Sequence, residues 1–348
     1  MRVAVYAIAK NESKHVERWA KSAQDADHII LLDTGSSDNT VALAEVMGVT
    51  VHTQVFDPWR FDTARNASLE LVPDDVDYCI ALDLDEILVD GWRAALEKAH
   101  AEGWTRPRYQ YTWSWNDDGT PGLVYGGDKI HARHGYFWKH PVHEVITPSG
   151  VETQGWVDLQ IEHHPDHTKS RAQYLPLLAL SVQEDPDDDR NAYYYARELM
   201  FAGQNDESVR EFYRYLALPT ATWDAERSKA MRFLAKLEPA RAEHWLLRAT
   251  AEAPHRREPW VDLAEYYHNM KMWPLSLGAA MRALDVKEKP LEYLCEEHAW
   301  GAQPYDLAAI AAYWIGNKDL AAIMGTKALE LSPGNVRLSR NLAYYVSP

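Results

Sequence analysis

The chain has 348 residues, 46% hydrophobic and 25% charged, which suits a folded protein of two ordinary domains. Its 52 Asp and Glu against 36 Lys and Arg leave a formal charge of -16, which opposes tight, nonspecific binding of duplex DNA or RNA. Two cysteines, Cys79 and Cys295, exclude a disulfide framework and fit a reducing compartment.

The first apolar run, Val3 to Ala9, is too short to cross a bilayer. Lys10-Asn11-Glu12-Ser13 follows it in place of a small-residue cleavage site, so the expectation is a cytoplasmic protein without a membrane span. Residues 2–8 read as a strand, 14–23 as a helix and 28–32 as a second strand. A Gly-, Ser- and Asp-rich turn precedes a helix over 40–47, a strand over 50–55 and a helix over 63–71. Residues 78–82 form an apolar run that ends in acid. Strands alternating with helices of this length predict βαβ units and a largely parallel sheet. Ligands bind outside the carboxyl ends of such strands, which favours positions 33–39 and 83–86. From 107 to 161 the chain becomes rich in Trp, Tyr and His with Gly turns, and reads as an antiparallel extension of the sheet.

The second half is helical and repetitive. Ala196, Ala230, Ala264, Ala309 and Ala343 recur at spacings of 34, 34, 45 and 34. Twelve residues after the first four come Ser208, Ala242, Ser276 and Ala321; seven further on come Tyr215, Ala249, Ala283 and Ala328. Small residues at these offsets resemble the tetratricopeptide repeat, whose paired helices cross closely. An insertion is expected around 287–299 and a terminal capping helix over 336–346. The expected division is residues 1–168 and 169–348. Acid is concentrated in the first half, with 27 acidic and 15 basic residues in 1–169 against 25 and 21 in 170–348.

Two segments carry chemistry. Asp33-Thr34-Gly35-Ser36-Ser37-Asp38-Asn39-Thr40 joins a strand to a helix. There Asp33 can accept hydrogen bonds from a base or ribose, and Ser37 or Asp38 can cap the helix. Asp83-Leu84-Asp85-Glu86 places two carboxylates at a strand end, where they can share a divalent cation that in turn holds a diphosphate.

With Ala9-Lys10-Asn11-Glu12 and Ala64-Arg65-Asn66, these segments stand in the order found in family 2 glycosyltransferases of the GT-A fold, which the chain resembles over residues 1 to about 165. The helical repeats match a bacterial and phage subgroup of that family. The resemblance implies a Rossmann-like α/β GT-A domain followed by an all-α tetratricopeptide-like solenoid. It implies inverting transfer from a nucleotide-diphosphate sugar, most simply a UDP-sugar, with Mn2+ or Mg2+. Asn11, Glu12, Asp33 and Arg65 would then meet the nucleotide. Asp83 would face ribose or metal, Asp85 would bind metal, and His163 would complete the metal site. Glu144 would be the base. His143 or His164 could exchange roles with these last two.

Trp113, Trp115 and Trp138 are candidates to wall the acceptor site, beside His143. The histidines at 131, 134, 140, 143, 163, 164 and 167 lack the spacing of a zinc site. Arg227, Lys229, Arg232, Lys236, Arg241, Arg256 and Arg257 make a basic zone on the repeats that could receive an anionic acceptor. Protein, glycan and hydroxymethylated DNA all remain open as acceptors. The alternative function is a repeat scaffold carrying a degenerate transferase domain.

Overall fold

The computed structural model describes residues 1–166 and 173–347. The chain divides into two compact units, Met1–Glu184 and Asp185–Pro348. The expected boundary at 168, and His167 of the histidine series, lie outside the described residues. The helix that follows them, Tyr174–Glu184, belongs to the first unit. Among the described residues no helix is long and apolar enough to cross a membrane.

The first unit begins β1 (Val3–Ala9), α1 (Ser13–Ser22), β2 (His28–Asp33), α2 (Thr40–Val46), β3 (Thr50–Thr53), α3 (Phe61–Glu70) and β4 (Tyr78–Ala81). These bounds fall within two residues of the sequence expectation. The four strands run parallel in the order β3-β2-β1-β4. Alternation along β1 shows why the sheet is central. Val3, Val5 and Ala7 enter one core with Val16 and Trp19 of α1, while Ala4 and Tyr6 enter a second with Leu69 of α3. A strand buried on both faces reads as an unbroken apolar run. Trp19 is fully buried, worth roughly 1.5–3 kcal/mol on the scale of large side chains. Its indole N–H also donates to the Leu82 carbonyl at 3.0 Å, which ties α1 to the end of β4.

The next stretch contains β5 (Glu86–Leu88), α4 (Trp92–Ala101), β6 (Arg106–Thr112), β7 (Val124–Gly127), β8 (Ile130–Ala132), β9 (Tyr136–Lys139), β10 (Val145–Pro148), β11 (Gln154–His163) and α5 (Tyr174–Glu184). Here the expected antiparallel extension is corrected. Only β8 joins the first sheet, antiparallel to β4. A second sheet runs β5-β11-β6-β7, with β6 and β11 parallel, and β9 pairs β10 separately. Aromatic alternation marks these residues as strands but does not say which partner each takes, because pairing is set by contacts far apart in sequence.

The second unit is a run of helices: α6 (Asp189–Phe201), α7 (Asn205–Ala217), α8 (Asp224–Leu237), α9 (Ala242–Glu252), α10 (Arg257–Asn269), α11 (Trp273–Asp285), α12 (Glu297–Trp300), α13 (Gln303–Trp314), α14 (Lys318–Leu331) and α15 (Val336–Val346). The periodic small residues sit where helices of a pair meet. Ala196, Ala230, Ala264 and Ala309 are fully buried, as are Ser208, Ser276 and Ala321 of the partner helices. The hydroxyl of Ser208 donates to the Ala196 carbonyl at 2.8 Å, and that of Ser276 to the Ala264 carbonyl at 2.9 Å. The fifth alanine, Ala343 of α15, is exposed. The 45-residue step is explained by residues 286–302, a loop with α12 between α11 and α13.

The basic zone does not form an open strip. Arg227 pairs with Glu252, Lys229 with Glu296, and Arg232 with both Asp262 and Glu296. Arg256 meets Glu258 and Glu292, Arg241 meets Glu238, and Arg257 lies over the Trp300 ring. The partners come largely from neighbouring helices and the inserted loop, which linear charge counting does not reveal.

Candidate functional site

The parallel register brings the two acidic motifs to one edge. Ala9 at the end of β1 pairs with Asp33 at the end of β2. On the other side of β1, Tyr6 pairs with Ala81, and the Leu82 amide donates to the Tyr6 carbonyl at 3.1 Å. Asp33 and Asp83 thus leave the same edge two strands apart, about 10 Å by strand spacing.

Asp33 is 2% exposed. Its Oδ2 accepts from the amides of Gly35 and Ser36, both at 3.0 Å, and turns the chain where Gly35 takes a φ of 105°. Its Oδ1 is buried with no hydrogen-bond partner among the described residues, an acceptor aimed at nothing the protein supplies. Asn11 shapes the other side of this loop: its Oδ1 accepts from the Ser37 amide at 2.7 Å, and its own amide donates to the Ser36 hydroxyl at 2.8 Å. The Glu12 amide donates to the Thr40 hydroxyl at 2.7 Å. Asp38 binds the leading amides of two helices, Thr40 of α2 at 3.0 Å and Ser13 of α1 at 3.2 Å. Burial opposes its charge, but these bonds prevail and hold its carboxyl down at about 2.

Arg65 is the hub of the next group. Ser68, one turn on in α3, donates to the Ala7 carbonyl at 3.0 Å. Asn66 clasps Trp138 of β9 at both backbone groups: its Nδ2 donates to the carbonyl and its Oδ1 accepts the amide, each at 2.8 Å. Held this way, the Arg65 guanidinium lies over the Trp138 ring at 4.9 Å. It reaches Asp83 through Nη2 at 2.8 Å and Glu144 through Nε. Lys129 approaches the other Asp83 oxygen at 2.7 Å and the buried Glu86 at 2.8 Å. Glu86 also accepts from Tyr111 at 2.5 Å and from the Asp83 amide at 2.9 Å. Burial works against the Asp83 charge, but Arg65 and Lys129 hold its carboxyl well below the usual range. Burial pushes Glu86 up.

Asp85 faces elsewhere. Its carboxylate lies 3.5 Å from His163 Nε2, and its carbonyl accepts the His164 amide at 2.7 Å. The His163 ring stacks on Trp113 at 4.4 Å, and its Nδ1 meets the Trp113 carbonyl at 3.0 Å. Burial lowers the His163 pKa and the Asp85 contact raises it; the balance is upward. Trp115 stacks on His164 at 5.7 Å and donates to the His163 carbonyl at 3.1 Å.

The expected trio Asp83, Asp85 and His163 is therefore not gathered. Among the described residues no group of three or more His, Cys, Asp or Glu is arranged to hold a metal. Asp85 and His163 offer a carboxylate and an imidazole, of which the carboxylate suits Mn2+ or Mg2+ and the imidazole suits Mn2+ better than Mg2+, with phosphate oxygens and water needed to complete the shell. Trp138 is corrected as an acceptor wall: it is 3% exposed and its N–H donates to the Tyr6 hydroxyl at 2.8 Å. Trp113, 45% exposed, stays available. His143 stands edge-on to Tyr174 of α5 at 5.5 Å. Lys129 and Tyr111 escaped the sequence reading. Lys129 precedes β8 and comes beside Ala81 only through the β4–β8 pairing, with no local motif to mark it.

No protein-family model matches the chain. An uncharacterized glycosyltransferase of Rickettsia bellii is 32% identical over 88 residues, 25% of this chain and 29% of that protein. The chain thus matches less than a third of that relative's length. A TPR repeat-containing protein of Synechococcus elongatus is 23% identical over 323 residues, 81% of this chain and 75% of that one. Among solved structures, a thermophilic TPR protein of Thermus thermophilus aligns over 49% of this chain and 88% of its own, at 17% identity and a TM-score of 0.33.

Proposed function

We propose that the first unit is a GT-A-type glycosyltransferase, which moves a sugar from a nucleoside-diphosphate donor to an acceptor hydroxyl or thiol. The observation that carries this reading is that Asp33 and Asp83 leave the carboxyl edge of one parallel sheet, with Arg65 on Asp83, while Asp85 just beyond meets His163 of the second sheet. The short match to a glycosyltransferase supports it independently.

In this reading the unpartnered Asp33 Oδ1 accepts from the nucleoside, and Asn11 and Glu12 keep the loop around it in shape. Asp85 and His163 hold a divalent cation, which when bound neutralises the diphosphate. The bond from the anomeric carbon to the diphosphate oxygen breaks, and its electron pair stays on that oxygen. The acceptor heteroatom bonds to the same carbon from the opposite face and passes its proton to a carboxylate, for which Glu144 is the candidate. A single displacement inverts the anomeric centre. Arg65 stabilises the charge that grows on the leaving group. Trp113 offers an exposed aromatic face to a sugar ring.

The test is release of free nucleoside diphosphate from a panel of UDP-, GDP- and CDP-sugars, with and without Mn2+. Release from at least one donor, lost in Asp85→Ala, is expected. A panel without turnover and without nucleotide binding overturns the proposal.

A further inference from the structure

Asp83 stands in a motif that suggests cation binding, yet each of its carboxylate oxygens already meets a side-chain cation. Arg65 Nη2 is 2.8 Å from Oδ1, and Lys129 Nζ is 2.7 Å from Oδ2. A carboxylate bracketed in this way is a poor ligand for a further cation, because binding one would set two positive charges loose beside it. The same bracket aims the cations. An ammonium has three N–H groups, and Asp83 and Glu86 accept from two of them. The Lys129 side chain retains 25% exposure, and its ammonium has one N–H beyond those two. Arg65, 6% exposed, uses Nε for Glu144 and Nη2 for Asp83, so its charge acts from just beneath the surface of the site. Glu86, fixed by Tyr111 and the Asp83 amide, holds Lys129 from behind.

We infer that Lys129 is a donor-binding residue, which with Arg65 supplies protein-borne positive charge to the donor's diphosphate, and that Asp83 is the positioning residue holding both. This rests on the glycosyltransferase reading and refines it: the cation belongs to Asp85 and His163, and Asp83 lies outside its shell. Two fixed cations favour a diphosphate over a monophosphate, because the diphosphate carries the greater negative charge and more acceptor oxygens.

The experiment compares binding of UDP, GDP and CDP with that of the matching monophosphates by calorimetry, in Mn2+ and in EDTA. Removing Lys129 alone strands two carboxylates, so Lys129→Met is made with Glu86→Gln, and Lys129→Arg serves as the conservative rescue. The double variant is expected to lose about tenfold or more of its preference for diphosphate over monophosphate, and Lys129→Arg to keep most of it. Asp83→Asn is expected to weaken diphosphate binding equally in Mn2+ and EDTA. An unchanged preference in the double variant, or an Asp83→Asn loss seen only with Mn2+, overturns the inference while leaving the transferase reading intact. If the unaltered chain binds none of the three diphosphates, the transferase reading itself fails.

Discussion

Asn66 and Trp138 show how one residue's surroundings settle its job. Both lie in segments that suggest ligand contact, yet Asn66 is wholly engaged with the Trp138 backbone and Trp138 with the core. The Trp138 N–H donates to the Tyr6 hydroxyl, whose own proton then faces His131 Nε2 at 2.9 Å. That fixes His131 as the neutral tautomer with its other nitrogen on the Ala132 carbonyl at 2.8 Å. Burial agrees, lowering the His131 pKa to about 4. Such a satisfied chain beneath Arg65 gives the site a rigid floor. Glu144 is the residue to test above it. Glutamine in its place keeps an oxygen for Arg65 Nε but cannot take a proton as a carboxylate does. Glu144→Gln should retain donor binding and lose transfer by about 100-fold or more. Transfer at the original rate would place the base elsewhere.

Among the elements, the helix pairs make the sharpest prediction. Ala264 of α10 is fully buried, and Ser276 of α11 bonds its carbonyl. A larger side chain there has to push the pair apart. Ala264→Leu should destabilise the second unit by about 1–3 kcal/mol in urea denaturation followed by helix signal. Ala343→Leu, at the equivalent offset but an exposed position of α15, should stay within about 0.5 kcal/mol. Equal effects at the two positions would mean that the offset, and not the packing, is being read.

For the molecule as a whole, charge is organised by burial more than by domain. The second unit buries Glu226, which is 4% exposed and accepts from Tyr215 at 3.2 Å and Tyr293 of the inserted loop at 2.6 Å. Burial raises its pKa from 4.5 to about 7, because its hydrogen bonds only partly replace lost water. The folded state therefore binds this proton more tightly than the unfolded chain. Stability falls as pH rises between about 4.5 and 7, and the effect is complete above that window. Measured against Glu226→Gln, the natural chain should lose about 3 kcal/mol across it. Parallel stability curves would show that Glu226 ionises without penalty. The inserted loop also brings Glu292 and Glu296 to Arg256, Lys229 and Arg232. Much of the positive charge on the repeats is thus met within the unit.

The linear order of residues was enough for the parallel strands, the helix pairs and the insertion, because each rests on local periodicity or on small residues recurring at a fixed step. It also marked Asp33, Asp83 and Asp85, since strand ends in a parallel sheet are legible from the alternation of apolar runs with helices, whereas Arg65, inside α3, was marked only by the family resemblance. What those carboxylates touch was decided only in three dimensions. Lys129 stands 46 residues from Asp83 and meets it because β8 pairs with β4. His163 reaches Asp85 because β11 pairs with β5. Strand pairing across such separations depends on the closure of the whole sheet, and no spacing in the sequence encodes it.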